Sequence, residues 1–251
     1  MNSSINILIV ILHYGETRQT TALHEQLLVQ NSGHSQIKVL DNASPQPYAQ
    51  AWQRTEQNLY WAGALDFSLN YAQQKGFSHL WFLNNDIYFL TNKNIIDYAG
   101  HRLRHIESQV GPVAIYSPAA KTNPYHPQMV FKPGGQFQIV RYVDGIAPLI
   151  NVKFWTEAGL DFSDNPYGYG VDIWFSSQAH TFGFSCVVDH QVILRHRYHS
   201  SARKVEGFLE KAATAEQRYL QHRFGMNYQS IITKMAQDIH LFSTKDHYGT
   251  I

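Results

Sequence analysis

Residues 79–90, HLWFLNNDIYFL, set Asn84, Asn85 and Asp86 directly after an apolar run. A carboxylate with neighbouring amide oxygens suits a hard divalent cation that also holds substrate phosphates. The same triplet would equally serve as a polar turn capping the next helix, and the residues alone leave both readings open. A second stretch, NPYGYGVD (165–172), places two glycines among aromatics, so the backbone there must bend or approach another group closely. Asp172 then opens a helix. It would either complement the helix dipole or act as a general base held at a cleft. The third stretch is LRHRYHSS (194–201). Neutral imidazole is a common metal ligand. The chain has 14 histidines, so His196 and His199 need support from their surroundings.

The elements that must position these residues are readable from the apolar pattern. INILIVILHY (5–14) is a near-continuous apolar run ending in polar residues, the mark of a buried parallel strand. Residues 16–33 read as a helix, with Leu23, Leu27 and Leu28 at helical spacing and Gly33 as its stop. QIKVLDNAS (36–44) is a second strand ending at Asp41-Asn42. Residues 62–76 form a helix closed by Gly76, and HLWFL (79–83) a third strand. This alternation predicts an α/β layer around a mostly parallel sheet. Ligands bind outside the carboxyl ends of such strands. His13-Tyr14, Asp41-Asn42 and Asn84-Asn85-Asp86 would therefore line one crevice, and a wet cleft explains why three polar groups follow a buried strand.

Beyond residue 110 the pattern changes. Residues 111–150 are rich in Pro and Gly, with a hairpin expected around Pro133-Gly134-Gly135 in MVFKPGGQFQIVRYV. A short helix is expected over 170–182 and a strand pair in FSCVVDHQVILRH. Residues 203–224 read as an amphipathic helix on Val205, Phe208, Leu209, Ala212 and Ala213, and the tail from 226 as one more helix.

The totals narrow the function classes. A hydrophobic content of 44% with 16% charged residues is that of a globular chain. A net charge of +1 argues against a nucleic-acid partner. The single cysteine, Cys186, excludes an intramolecular disulfide and a multi-cysteine zinc site, and reads as a buried thiol. No run approaches the ~20 apolar residues of a membrane span. The first apolar run is short and has no Lys or Arg before it, so the expectation is a cytoplasmic protein. Arg203, Lys204, Lys211, Arg218 and Arg223 on the 203–224 helix would permit peripheral contact with the anionic inner face of the plasma membrane. They would equally form a solvated face. Oligomeric state is not indicated.

Taken in order, the segments ILIVILHY, VLDNAS, NLYWAGALDFSLNYAQQKGFSHLWFLNND, DGIAPLINVKFWTEAGLDFSDNPYGYGVDIWFSSQAHTFGF, VILRHRYHSS and RYLQHRFG resemble a family 2 inverting glycosyltransferase with the GT-A fold, of the rhamnosyltransferase-like and galactofuranosyltransferase-like branch. The resemblance runs from about Ile5 to Gly225. It implies one GT-A domain over 1–225, with a nucleotide-sugar-binding half at 1–110, an acceptor and catalytic half at 111–202, and a C-terminal helical segment at 203–251.

The resemblance also implies roles. Tyr14 and Asp41 would contact the nucleotide, with Asp41 accepting from the base. Asn58 would open a segment near the donor. Asn84 and Asp86 would take the outer positions of the metal-binding triplet around Asn85, with Mn²⁺ or Mg²⁺ as the ion. Asp172 would be the catalytic base, and His196 would complete the metal shell, with His199 as the alternative. The donor would be a nucleotide-diphosphate sugar. The acceptor would be a glycan or lipid-linked glycan, in bacterial surface polysaccharide assembly. The chain departs from the pattern at Gly63-Ala64-Leu65-Asp66, where relatives carry Gly-Gly-Asn-Asn, and at Val171, where they carry Glu. Two other functions are compatible with the layer. A nucleotidyltransferase would need a Gly-rich basic loop after the first strand, where HYGETRQTT holds a single glycine. A non-catalytic nucleotide-sugar or carbohydrate-binding protein would account for the departures.

Overall fold

The structure is a computed structural model that describes residues 5–30, 35–197 and 207–243. In chain order the elements are β1 (Ile7–His13), α1 (Thr17–Val29), β2 (Gln36–Asp41), β3 (Gln53–Arg54), α2 (Tyr60–Gln74), β4 (His79–Asn84), β5 (Ile87–Phe89), α3 (Ile95–Val110), β6 (Val113–Ala120), β7 (Gly135–Val140), β8 (Leu149–Asn151), α4 (Val152–Ala158), α5 (Val171–Gln178), β9 (Ser185–His196), α6 (Phe208–Phe224), α7 (Tyr228–Gln237) and β10 (His240–Ser243). The strands join one sheet in the order β10-β7-β9-β6-β8-β4-β1-β2-β3, with β5 paired to β9.

The α/β class is as expected, but the sheet is mixed rather than mostly parallel. The pairs β1–β2, β1–β4, β2–β3 and β6–β9 are parallel. The pairs β4–β8, β6–β8, β7–β9, β7–β10 and β5–β9 are antiparallel. Three of the parallel pairs belong to the strand–helix first half, where β1 and β4 are buried almost throughout, and the fourth, β6–β9, to the second half. Successive side chains of a strand point to opposite faces. Accordingly Leu8 and Val10 pack in one core with α2, α4 and α5, while Ile7, Ile9 and Ile11 pack in the other with α1 and α3.

Three local expectations are corrected. Pro133-Gly134-Gly135 does not turn a hairpin. Residues 127–129 form a short 3-10 turn, and β7 pairs instead with β9 and β10. Pro127 and Pro133 lack the N–H groups that a hairpin ladder across this turn would use. FSCVVDHQVILRH is one twelve-residue strand, β9, not a pair. Its polar Asp189-His190 centre, which resembles a turn, is an irregularity in the β6–β9 register. Asp189 is fully buried there. It is neutralised by Arg102 through bonds of 2.9 Å to each carboxylate oxygen, and it accepts from the Tyr116 hydroxyl at 2.9 Å. Finally, α6 turns Ala212, Tyr219 and Leu220 inward, whereas Leu209 and Ala213 are exposed.

Two further local expectations are met. Gly76, at φ 73°, follows the end of α2. Cys186 is buried, and burial pushes its thiol up to about 12. The C-terminal segment is helical over α6 and α7 but also contributes β10 to the sheet edge. Gly33, His199, Arg203, Lys204 and Val205 lie outside the described residues. Among the described residues no helix is long and apolar enough to cross a membrane.

Candidate active site

Because β1, β2 and β4 run parallel, their carboxyl ends share one edge of the sheet. A cleft of about 540 Å³ opens there. Its other wall comes from the 144–146 loop, the 167–173 turn and the start of α6. Tyr14, Asn58, Asn84 and Asn85 line it. So do Asp86, Asp172 and His196.

Asp41 lies outside that lining and is fully buried. Its carboxylate accepts from the Ser44 and Tyr48 N–H groups, each at 2.9 Å, and from Arg54 Nη1 at 2.7 Å. It thereby organises the 42–48 loop. The neighbouring Asn42 faces the cleft and braces the entry to α2. Its Nδ2 donates to Asn58 Oδ1 at 2.9 Å, and its Oδ1 accepts from Leu59 N–H at 2.8 Å. Asn58 Oδ1 in turn accepts from Tyr60 N–H at 2.8 Å. These bonds hold Tyr60 at φ 53°, a left-handed conformation that costs a non-glycine residue about 1–3 kcal/mol. Its ring packs on Tyr167 at 4.9 Å.

The triplet after β4 divides its labour. Asn85 is buried and anchors the strand end to α1. Its Nδ2 donates to Thr20 Oγ1 at 2.9 Å. Thr20 Oγ1 lies 2.6 Å from His13 Nδ1, and His13 Nε2 lies 2.7 Å from the Gln46 carbonyl. A carbonyl only accepts, so His13 carries its proton on Nε2. In the neutral ring Nδ1 then accepts from the Thr20 hydroxyl, and the Thr20 oxygen is left to accept from Asn85. Asn84 and Asp86 flank this anchor. β5 pairs with β9 so that Ile87 faces His196, and Arg197 N–H donates to the Asp86 carbonyl at 2.9 Å. This register brings His196 Nε2 to 2.9 Å from Asp86 Oδ1. At this distance the two side chains are in direct contact, and a carboxylate and a neutral imidazole are both donors that a divalent cation would accept. Among the described residues no group of three His, Cys, Asp or Glu converges on one point. Phosphate oxygens and water would have to complete the shell.

Asp172 stands in the first turn of α5. Its Oδ2 accepts from Gly145 N–H at 2.8 Å and its Oδ1 from Ile173 N–H at 2.9 Å. Part of its surface still reaches the cleft, but protein crowds it on every other side. That burial, reinforced by the Asp144 carboxylate, pushes its pKa up to about 7, against the opposing pull of His126 and the two N–H groups. Asp144 accepts from Asn123 Nδ2 at 2.8 Å, and Asn123 Oδ1 accepts from the N–H groups of Tyr125 and His126 at 3.0 and 2.9 Å.

Trp61 braces both sides of this arrangement. Its Nε1–H donates to the Gly145 carbonyl at 3.0 Å. A Cβ on Gly145 would meet the indole at 2.6 Å, and one on Gly168, which sits at φ 92°, would meet Trp61 at 2.8 Å. The close approach expected of the NPYGYG stretch is therefore to Trp61. Trp174 is not part of the cleft lining. It packs on Phe224 at 5.4 Å. Val171 is a fully buried core residue.

The sequence reading missed His126, Asp144, Tyr60 and Glu216, all of which line the cleft. Asp144 carried a signal, since it opens the segment DGIAPLINV. His126 and Glu216 carried none.

No family model matches the chain. Uncharacterized proteins of Mycobacterium tuberculosis and Mycobacterium bovis are 23% identical to it over 197 residues, covering 76% of this chain and 74% of theirs. Among solved structures it is similar to A197 from STIV, with a TM-score of 0.50 at 14% identity over 76% of this chain and 85% of that one. It is also similar to GalNAc-T7, crystallised with UDP, GalNAc and Mn²⁺, with a TM-score of 0.61 at 12% identity over 95% of this chain and 55% of that one. On this similarity the chain has a glycosyltransferase-like fold of the GT-A type.

Proposed function

We propose that the protein is a metal-dependent inverting glycosyltransferase of the rhamnosyltransferase-like or galactofuranosyltransferase-like type. It would move a sugar from a nucleotide-diphosphate donor to a hydroxyl of a glycan or lipid-linked glycan, in bacterial surface polysaccharide assembly. The observation that carries this reading is that Asp86 with His196, and Asp172, line one cleft.

The charge of the cleft supports a cation. Asp86, Asp144, Asp172 and Glu216 line it, and among the described lining residues there is no Lys or Arg. A diphosphate brought among these carboxylates would be repelled. A Mn²⁺ or Mg²⁺ ion held by Asp86 and His196, with Asn84 beside them, would supply the positive charge that the departing diphosphate requires. Tyr14, Asn58 and Asn85 would shape the donor side, and Asp41 would support it through the loop it bonds.

Asp172 is the base. A pKa of about 7 leaves a large fraction of the carboxylate ionised at neutral pH while keeping it basic enough to accept a hydroxyl proton. Its N–H partners fix its position. The deprotonated acceptor oxygen then attacks the anomeric carbon opposite the leaving phosphate, and one displacement inverts the centre. No second carboxylate is needed as acid, in contrast to glycoside hydrolysis. The test is a nucleotide-release assay over a panel of nucleotide sugars and glycan acceptors, with and without Mn²⁺. Turnover that needs Mn²⁺ and disappears in Asp172→Asn supports the reading. Metal-independent turnover, or full activity of that variant, removes it.

A second reading is a nucleotide-sugar-binding protein without turnover. It draws on Val171, whose buried side chain is not part of the cleft lining, at the position where the family that the sequence resembles carries Glu. Calorimetric binding of nucleotide sugars without transfer to any acceptor would favour it.

A further inference from the structure

A groove of about 460 Å³ adjoins the cleft and is walled by α6 and α7. Its size falls in the range of small-molecule sites, about 300–1,000 Å³. Tyr125, His126, Ile173 and Glu216 line both spaces, so the groove begins next to Asp172 and leads away from the Asp86–His196 end. Tyr142, Gln217, Tyr228 and Gln229 continue its wall.

The far wall is fastened. None of the residues of α7 is buried, yet Tyr228 and Ile232 pack against the core. Asp238, directly after α7, pairs with Arg141. β10 then hydrogen-bonds along β7, with Phe242 stacked on Phe137 at 4.3 Å. The C-terminal end of α7 is thus tied to the sheet edge.

We propose that this groove is a carbohydrate subsite that seats the neutral oligosaccharide chain behind the acceptor hydroxyl. The proposal rests on the reading of the cleft as a sugar-transfer site. Its chemistry selects the ligand class. Tyrosine rings offer flat apolar faces with a polar tip. Gln217, Gln229 and Thr233 offer amide and hydroxyl partners, and Glu216 offers a two-oxygen acceptor. Among the described lining residues there is no Lys or Arg, so phosphorylated, sialylated or uronate-bearing chains would find no counter-charge. His126 lines the junction of the two spaces. Tyr125, 55% exposed at the same junction, would cover the step from the reacting residue to the next. The acceptor is therefore at least a disaccharide.

The test is binding of the full chain to an array of defined neutral di- to tetrasaccharides alongside sialylated and uronate-containing glycans. The expected result is capture of a subset of the neutral chains. Tyr228→Ala should weaken that capture by about tenfold or more, as for an aromatic anchor. Since Tyr228 also packs on the core, Gln229→Ala is the second variant, with about a three- to tenfold loss for one hydrogen bond. Melting temperatures verify that both variants fold. No capture of neutral chains by the wild type, capture by both variants equal to that of the wild type, or preference for the acidic glycans overturns the proposal. A parallel thermal-shift titration of the wild type with nucleoside diphosphates and Mn²⁺ separates the two claims. Nucleotide binding without glycan capture removes the groove proposal alone. Glycan capture without any nucleotide effect removes the transferase reading and retains a sugar-binding groove.

Discussion

Trp61 and Gly145 touch twice over: the indole Nε1–H donates to the Gly145 carbonyl at 3.0 Å, and the ring fills the space where a Gly145 side chain would begin. The N–H of the same glycine holds Asp172 Oδ2 at 2.8 Å. The position of the proposed base is therefore set by an aromatic residue on α2.

Gly145→Ala should displace this contact. The added carbon would meet the indole at 2.6 Å, and overpacking of this kind costs about 1–3 kcal/mol. Loss of the Asp172 alignment should lower kcat by about 100-fold, the scale of an ångström-sized misplacement. Steady-state transfer kinetics with a denaturant melt of the same variant check both numbers. An unaltered kcat would separate Trp61 and Gly145 from the base.

Asp172→Asn should abolish the proton acceptor while keeping the shape of the site. Transfer should fall by about 10²–10⁴-fold, with nucleotide binding retained in calorimetry. In the wild type, the rate should rise with pH through about 7 as the carboxyl ionises.

The same carboxyl links pH to stability. Its folded pKa of about 7 lies above the ordinary value of 3.8, so the folded state holds the proton more tightly than the unfolded chain. The stabilisation from this group is complete below pH ~4 and is lost as pH rises toward ~7. The melting temperature of Asp172→Asn relative to wild type should thus climb between pH 4.5 and pH 8. A constant difference across that range would contradict the raised pKa.

Asp86→Ala should remove one of the two proposed protein ligands. Mn²⁺ stimulation of nucleotide release should disappear, and Mn²⁺ electron paramagnetic resonance should show weaker binding. Retention of full Mn²⁺ dependence would place the ion elsewhere.

Arg102→Ala should leave Asp189 buried without its counter-ion, beside the Tyr116 hydroxyl. Breaking one side of a buried pair costs about 3–5 kcal/mol. Urea denaturation measures it, and a loss below 1 kcal/mol would mean that the carboxylate finds another partner.

The first half of the chain was legible because a parallel strand buried on both faces leaves an unbroken apolar run, and its polar end marks the ligand edge. β1, β2 and β4 all carry that mark. Asp172 was legible because a carboxylate after a Gly-rich turn opens a helix. The β9 strand was not, because Asp189-His190 looks like a turn unless its partner Arg102, 87 residues away, is known. The role of Asp41 was hidden for the same reason: its partners are backbone N–H groups of a loop that has no pattern of its own. Asn123 ties Asp144 to the backbone of His126 at the cleft, a contact without periodicity.

The four residues of β10 cover the outer rim of β7. Without them the backbone groups of β7 on that side would face water, and an uncovered strand invites pairing with another molecule. A chain cut before residue 238 should therefore migrate as concentration-dependent aggregates in gel filtration, because the longer β7 would replace the four-residue β10 as the edge of the sheet.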